Sequence, residues 1–96
     1  MIHATESLHF TLGQVCATPG ALEALNESAQ SESEFISRHA RLEQGELCSA
    51  DHAENLFSVD KELRIFSAYK TSKGEKLWII TEADRSATTI LLPSEY

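Results

Sequence analysis

Residues 63–92, LRIFSAYKTSKGEKLWIITEADRSATTILL, hold three apolar runs separated by two polar breaks. β-Branched and aromatic residues are dense in Leu63–Lys70 (Ile65, Phe66, Tyr69), in Lys76–Glu82 (Trp78, Ile79, Ile80, Thr81) and in Ala87–Leu92 (Thr88, Thr89, Ile90). Such side chains fit a pleated surface, and each run has the usual length of a strand. The first break, Thr71–Glu75, holds Gly74 near its end and suits a hairpin whose glycine takes a positive φ. The second, Ala83–Ser86, is short, and Asp84 can bond its own backbone there. Three sequential antiparallel strands follow. Alternation puts Leu77, Ile79 and Thr81 on one face of the middle strand and Lys76, Trp78, Ile80 and Glu82 on the other. Both faces carry apolar groups, so this strand is expected to be covered on both sides. Pro93 ends the last strand because it has no N–H to donate.

Working back from this block, Ser7–Cys16 alternates Leu8, Phe10 and Leu12 and reads as a short strand that joins the same sheet, with a bend at Gly13. Residues 1–6 read as a loose tail. Thr18-Pro19-Gly20 opens a first helix, with Thr18 as N-cap and Pro19 at the first helical position. Leu22, Leu25 and Ala29 keep helical spacing. Ser31 and Glu34 form a capping-box pattern before a second helix, expected to run to about Gln44, to bury Phe35, Ile36, His39 and Leu42, and to stop at Gly45. Ser49 can cap a third, shorter helix in which Ala53, Leu56 and Phe57 share a face. The order β-α-α-α-β-β-β predicts a single α+β domain over 1–96. Its sheet has about four strands, mostly antiparallel, with helices on one face.

The 96 residues suffice for one modest core. No apolar run approaches the roughly 18 residues of a membrane span. The start of the chain lacks the basic and apolar regions of a secretory signal, so a cytoplasmic protein with Cys16 and Cys48 as reduced thiols is expected. The charge of −7 is uneven: residues 21–62 hold ten carboxylates against three cations, whereas the last 34 residues hold four against five. An acidic surface of this kind argues against direct binding of nucleic acid, whose affinity comes from Lys and Arg.

Motifs for chemistry are weak. His39, Cys48 and His52 are three metal-capable side chains, but a structural zinc site takes four ligands in close pairs, so neither a metal nor a cofactor is expected. Neither cysteine sits in a nucleophile motif, and no catalytic residue is assigned. Glu82, Asp84 and Arg85 gather at the second turn. There Arg85 either grips a partner's carboxylate or phosphate, or pairs with Glu82 or the carboxylate of Tyr96, which is favoured. Trp78 is read foremost as a core anchor beneath the helices, and otherwise as an exposed anchor for a partner. Together Trp78, Glu82, Asp84 and Arg85 make up the candidate binding set. Glu23, Glu27, Glu43 and Glu46 make up a candidate acidic surface that could imitate phosphates.

LGQVCATPGALEAL near the start, SEFISRH in the second helix and above all LWIITEADRSATTILLPSEY at the end resemble a group of small bacterial proteins carried on plasmids and integrated elements. They are filed as "plasmid-related protein" or as a type I restriction-modification subunit M. The chain lacks the Asn/Asp-Pro-Pro-aromatic motif and the length of a DNA methyltransferase, so the second label brings no activity with it. The resemblance implies a mobile-element context. Relatives carry Gly where Glu62 stands, and Glu disfavours the left-handed conformation such a Gly adopts, so the exit from the third helix is expected to differ. The resulting expectation is a non-enzymatic accessory or regulatory protein that binds another protein and is compatible with a homodimer. The alternative is an acidic nucleic-acid mimic that inhibits a restriction or CRISPR nuclease complex. A small toxic ribonuclease would be basic, which this chain is not.

Overall fold

In the computed structural model, which describes residues 10–96, the three apolar runs are strands β2 (Ile65–Lys70), β3 (Lys76–Thr81) and β4 (Ala87–Leu91). They are joined in antiparallel register, with Ser67 opposite Ile79 and Ile79 opposite Ile90. The first hairpin closes through the Thr71 N–H to the Glu75 carbonyl (2.9 Å), with Gly74 at φ 85°. In the second, the Asp84 carboxylate accepts from the Ser86 N–H (3.0 Å), as a turn-shaping aspartate should.

A fourth strand, β1 (Gln14–Ala17), lies parallel to β4 and completes the order β1-β4-β3-β2. It is shorter than the expected Ser7–Cys16. Phe10 and Leu12 lie ahead of it in irregular chain, while Leu8 and the tail 1–6 fall outside the described residues. The cause is Gly13, at φ 65°. A Cβ there would stand 2.4 Å from the backbone of Arg85 and Ser86, so the chain turns at this point and only then pairs with β4.

Helices α1 (Pro19–Ser28), α2 (Glu32–Ala40) and α3 (Ser49–Lys61) lie between β1 and β2 in sequence. Thr18 caps α1 by accepting from the Ala21 N–H. Ser31 caps α2 by accepting from the Glu34 N–H, whereas the Glu34 carboxylate turns to Gln30. α2 ends at Ala40 rather than near Gln44. Leu42 takes the left-handed conformation (φ 58°), and Glu43 N–H reaches back to the Arg38 carbonyl (3.0 Å), so a Schellman-type turn forms on a leucine. Gly45 is not the stop; its lack of a Cβ admits the Tyr69 ring, which a methyl would meet at 2.3 Å.

Leu77, Ile79, Ile90 and Tyr69 of the sheet pack with Ala21, Ala24, Leu25 and Phe35 of α1 and α2 to form the core. His39 is fully buried, as expected of the second helix. Its Nδ1 is 2.6 Å from Ser67 Oγ and its Nε2 2.8 Å from Thr81 Oγ1. Thr81 meets Thr88 at 2.7 Å, and Thr88 donates to the Leu12 carbonyl at 2.7 Å. Counting hydroxyl protons from that carbonyl assigns every role. Thr88 is committed to Leu12, so Thr81 donates to Thr88, His39 donates from Nε2, and Ser67 donates to Nδ1.

The second face of the sheet is partly covered by the residues that follow β4. A 3-10 turn, Pro93–Glu95, returns from β4, and Tyr96 meets Trp78 edge to face at 5.6 Å. The Glu95 carboxylate takes hydrogen bonds from Thr18 Oγ1, Gly20 N–H and Leu92 N–H, which hold its pKa below the usual range. A negative charge thus sits on the N-terminus of α1, where the helix dipole favours it.

Candidate functional site

Helix α3 turns its apolar side away from the core. Ala53, Leu56 and Phe57 do share a face, but it points to solvent: Leu56 is 50% and Phe57 52% exposed, and Leu63 just beyond the helix is 44% exposed. The inward residues are polar. Asn55 and Ser58 are buried.

Asn55 sets this rotation. Its amide nitrogen donates to the Phe66 carbonyl (2.6 Å) and its amide oxygen accepts from the Phe66 N–H (3.1 Å). One side chain thus pairs with the outer edge of β2 as a neighbouring strand would. The Glu46 N–H adds a bond to the Ala68 carbonyl (2.7 Å) on the same edge. His52 fixes the first turns by donating from Nε2 to the Leu42 carbonyl (2.9 Å). With the face of Asn55 and Ser58 committed inward, a helix of 3.6 residues per turn must send Leu56 and Phe57 outward.

The helix end is held by Arg85. Its guanidinium donates to the carbonyls of Ser58, Leu63, Glu82 and Ala83 at 2.8–3.2 Å and lies 5.7 Å from the centre of the Phe10 ring. The Ser58 carbonyl also accepts from the Glu62 and Leu63 N–H groups. These donors hold Glu62 in the left-handed conformation (φ 57°, ψ 47°). The exit is therefore the one a glycine would make, contrary to the expectation that Glu would change it. The partner chosen for Arg85 also differs from the sequence reading: it bonds backbone carbonyls, and Arg64 takes the expected role instead. Arg64 lies 3.6 Å from the Glu82 carboxylate and donates to the Tyr96 hydroxyl (3.2 Å).

Trp78 is not beneath α1 and α2. It stands on the opposite face of the sheet, half-buried, edge to face with Phe66 at 5.1 Å and with Tyr96. Two shallow clefts flank it, about 400 Å³ towards Cys48, Asp51 and Lys76, and about 300 Å³ towards Arg64, Ile80 and Tyr96. The four residues of the candidate binding set thus divide. Trp78 lines a surface, Glu82 is paired with Arg64, Asp84 is engaged within the turn, and Arg85 ties the turn to the end of α3.

The acidic set divides as well. Arg41 and Arg38 bond the Glu43 carboxylate (2.7 and 2.9 Å) and hold its pKa below the ordinary value. Glu46 lies 3.8 Å from Lys70. Glu23 and Glu27 line a small cleft of about 150 Å³ with Glu75. His39, Cys48 and His52 do not converge: the two imidazoles bond separate partners and Cys48 is exposed. Among the described residues, no three side chains of metal-binding type come together. No helix there is long and apolar enough to cross a membrane.

Sequence reasoning passed over Asn55, whose one signal was a polar residue at the centre of an otherwise amphipathic helix. It passed over Arg64 and the threonines around His39 too, for which no local pattern exists. The chain matches no family model, no curated protein and no solved structure.

Proposed function

We propose that this chain is a non-enzymatic accessory or regulatory protein of a plasmid or integrated mobile element, and that it acts by docking α3 onto another protein. The observation that carries the docking reading is the pair Leu56 and Phe57, half-exposed on a helix whose polar face is turned inward. Leu56 and Phe57 follow the exposed Ala53 at spacings of three and four, the pattern by which an amphipathic helix meets an apolar groove. Glu54 is exposed on the same helix and Lys61 lies 6.0 Å from the centre of the Phe57 ring, so the apolar residues are bordered by charges of both signs. The mobile-element context rests on the resemblance of the C-terminal block.

The test is a comparison of variants in a pull-down from the host cell. Leu56→Glu and Phe57→Ser should each lose the captured protein while keeping the fold, and Trp78→Ala should retain it. Loss of capture on changing Glu23 and Glu27 to Gln, with steep salt dependence and no effect at Leu56 or Phe57, would replace this reading with the phosphate mimic. Capture lost only by Trp78→Ala would move the interface to the far face of the sheet.

A further inference from the structure

We infer that the outer edge of β1 is a self-association surface, and that two copies of the chain pair their β1 strands antiparallel about a two-fold axis at Cys16. This concerns a different surface from α3 and does not depend on it.

The backbone of β1 has one committed side and one open side. The N–H groups of Gln14 and Thr18 donate to the Ser86 and Ile90 carbonyls of the β4 side, both at 3.0 Å. By alternation, the N–H and C=O groups of Val15 and Ala17 point away from β4. Among the described residues nothing pairs with them. The opposite border of the sheet is treated differently, since there Asn55 occupies both outward groups of Phe66 and Glu46 the outward carbonyl of Ala68.

An open edge is a template for another strand, and proteins that keep one from pairing place Lys or Pro on it or twist it with a bulge. The stretch Gly13–Leu22, GQVCATPGAL, carries no charged side chain, and its single proline follows the strand. Beside it runs an apolar groove of about 630 Å³ between α1 and α2, floored by Val15, Leu22, Leu25 and Ile36. Val15 is 41% and Leu22 45% exposed. The groove rim is Asn26, Gln30, Ser31 and Ser33, with Glu32 its one charge.

Charge selects the occupant. Two copies each carrying −7 repel one another over most of their surface. They can approach where the surface is neutral, and this edge is such a place. Glu95, a carboxylate bonded to Thr18 and Gly20 at the end of this stretch, is already compensated by them and by the α1 dipole. An edge is also self-complementary about a two-fold axis. Placing Val15 opposite the second copy's Ala17 makes two hydrogen-bonded pairs and sets the two Cys16 residues face to face between them. The seam then covers Val15 and Leu22 of both copies, and the sheet becomes eight-stranded.

Cys16 gives the register a chemical readout. A non-hydrogen-bonded antiparallel pair has its Cα atoms about 4.5 Å apart, within the roughly 4.4–6.8 Å that a disulfide spans. Cys16 is exposed. Diamide, which takes the two thiol hydrogens and is reduced to the hydrazine, should join two copies of Cys48→Ser and should not join Cys16→Ser. Sedimentation equilibrium of the full chain should give twice 10.6 kDa. Val15→Pro removes an outward N–H and leaves the β4 ladder whole, so it should yield a folded 10.6 kDa monomer that diamide does not join. Val15→Lys, which keeps the backbone and adds charge at the seam, should do the same. A monomer at every concentration overturns the inference. So does a dimer that survives Val15→Pro with Cys16 unjoined, because its interface then lies elsewhere. A monomer that dimerises only after removal of residues 1–9 also overturns it, by showing that the chain covers its own edge.

Discussion

His39 donates from Nε2 to Thr81 Oγ1 across 2.8 Å in the centre of the core, with no water-exposed surface of its own. Burial lowers its pKa from 6.5 to about 4. The folded state therefore holds the imidazole neutral, while the unfolded chain protonates it below about pH 6.5. Between those two values the unfolded state binds more protons, so stability is fully present above pH 6.5 and declines as pH falls towards 4. The loss reaches about 3 kcal/mol at the lower end. Urea unfolding across this range should show the slope. His39→Gln, which can keep both hydrogen bonds without titrating, should flatten it; an unchanged slope would assign the acid sensitivity to other groups.

Replacing Glu62 by Gly should stabilise the protein. Glu62 sits at φ 57°, where a side chain costs about 1–2 kcal/mol relative to glycine. Part of that gain is offset by the greater freedom of glycine in the unfolded chain. A rise of about 0.5–1 kcal/mol is expected in thermal unfolding. A fall would mean that Glu62 makes a compensating contact.

Asn55→Ala should cost about 2–4 kcal/mol, because it strands the N–H and C=O of Phe66 at the sheet edge together. Asn55→Asp should retain the bond from the Phe66 N–H and lose the one to its carbonyl. Both variants should aggregate faster than the parent on partial denaturation, as an uncovered strand edge does. Urea titration and light scattering measure the two effects separately.

Arg85→Ala should loosen the end of α3 before anything else. The Ser58 and Leu63 carbonyls lose their guanidinium donor, at a cost of about 1–3 kcal/mol. Hydrogen exchange should quicken first at residues 58–63. Lys, with one point of charge, cannot reach four carbonyls in a fork and should restore little. If Arg85→Lys matched the parent protein, the four bonds would not be the reason Arg stands there.

The strand block was legible because its signals are local: alternation, Gly74 in the first turn, Asp84 in the second, Pro93 at the end. The N-caps Thr18 and Ser31 were legible for the same reason. The orientation of α3 was not legible, because periodicity identifies which residues share a face and not which face turns inward. The spacing of Ala53, Leu56 and Phe57 does not say which way their shared face turns; Asn55 decides it, since two backbone groups of β2 need partners. Trp78 was misplaced on hydrophobicity. The register puts Leu77, Ile79 and Thr81 under the helices, which leaves Trp78 for the other face. The partners of Arg85 could not be read from sequence, because two of its acceptors, Ser58 and Leu63, lie more than twenty residues away at the end of α3.

The amide of Asn55 has a final implication for assembly. A flat ribbon with two unguarded borders can lengthen without limit, copy after copy, into a filament. Here one border is plugged by a side chain of the same molecule. Growth has a single direction left, and the two-fold junction proposed for β1 would consume it in one step, closing the assembly at two members.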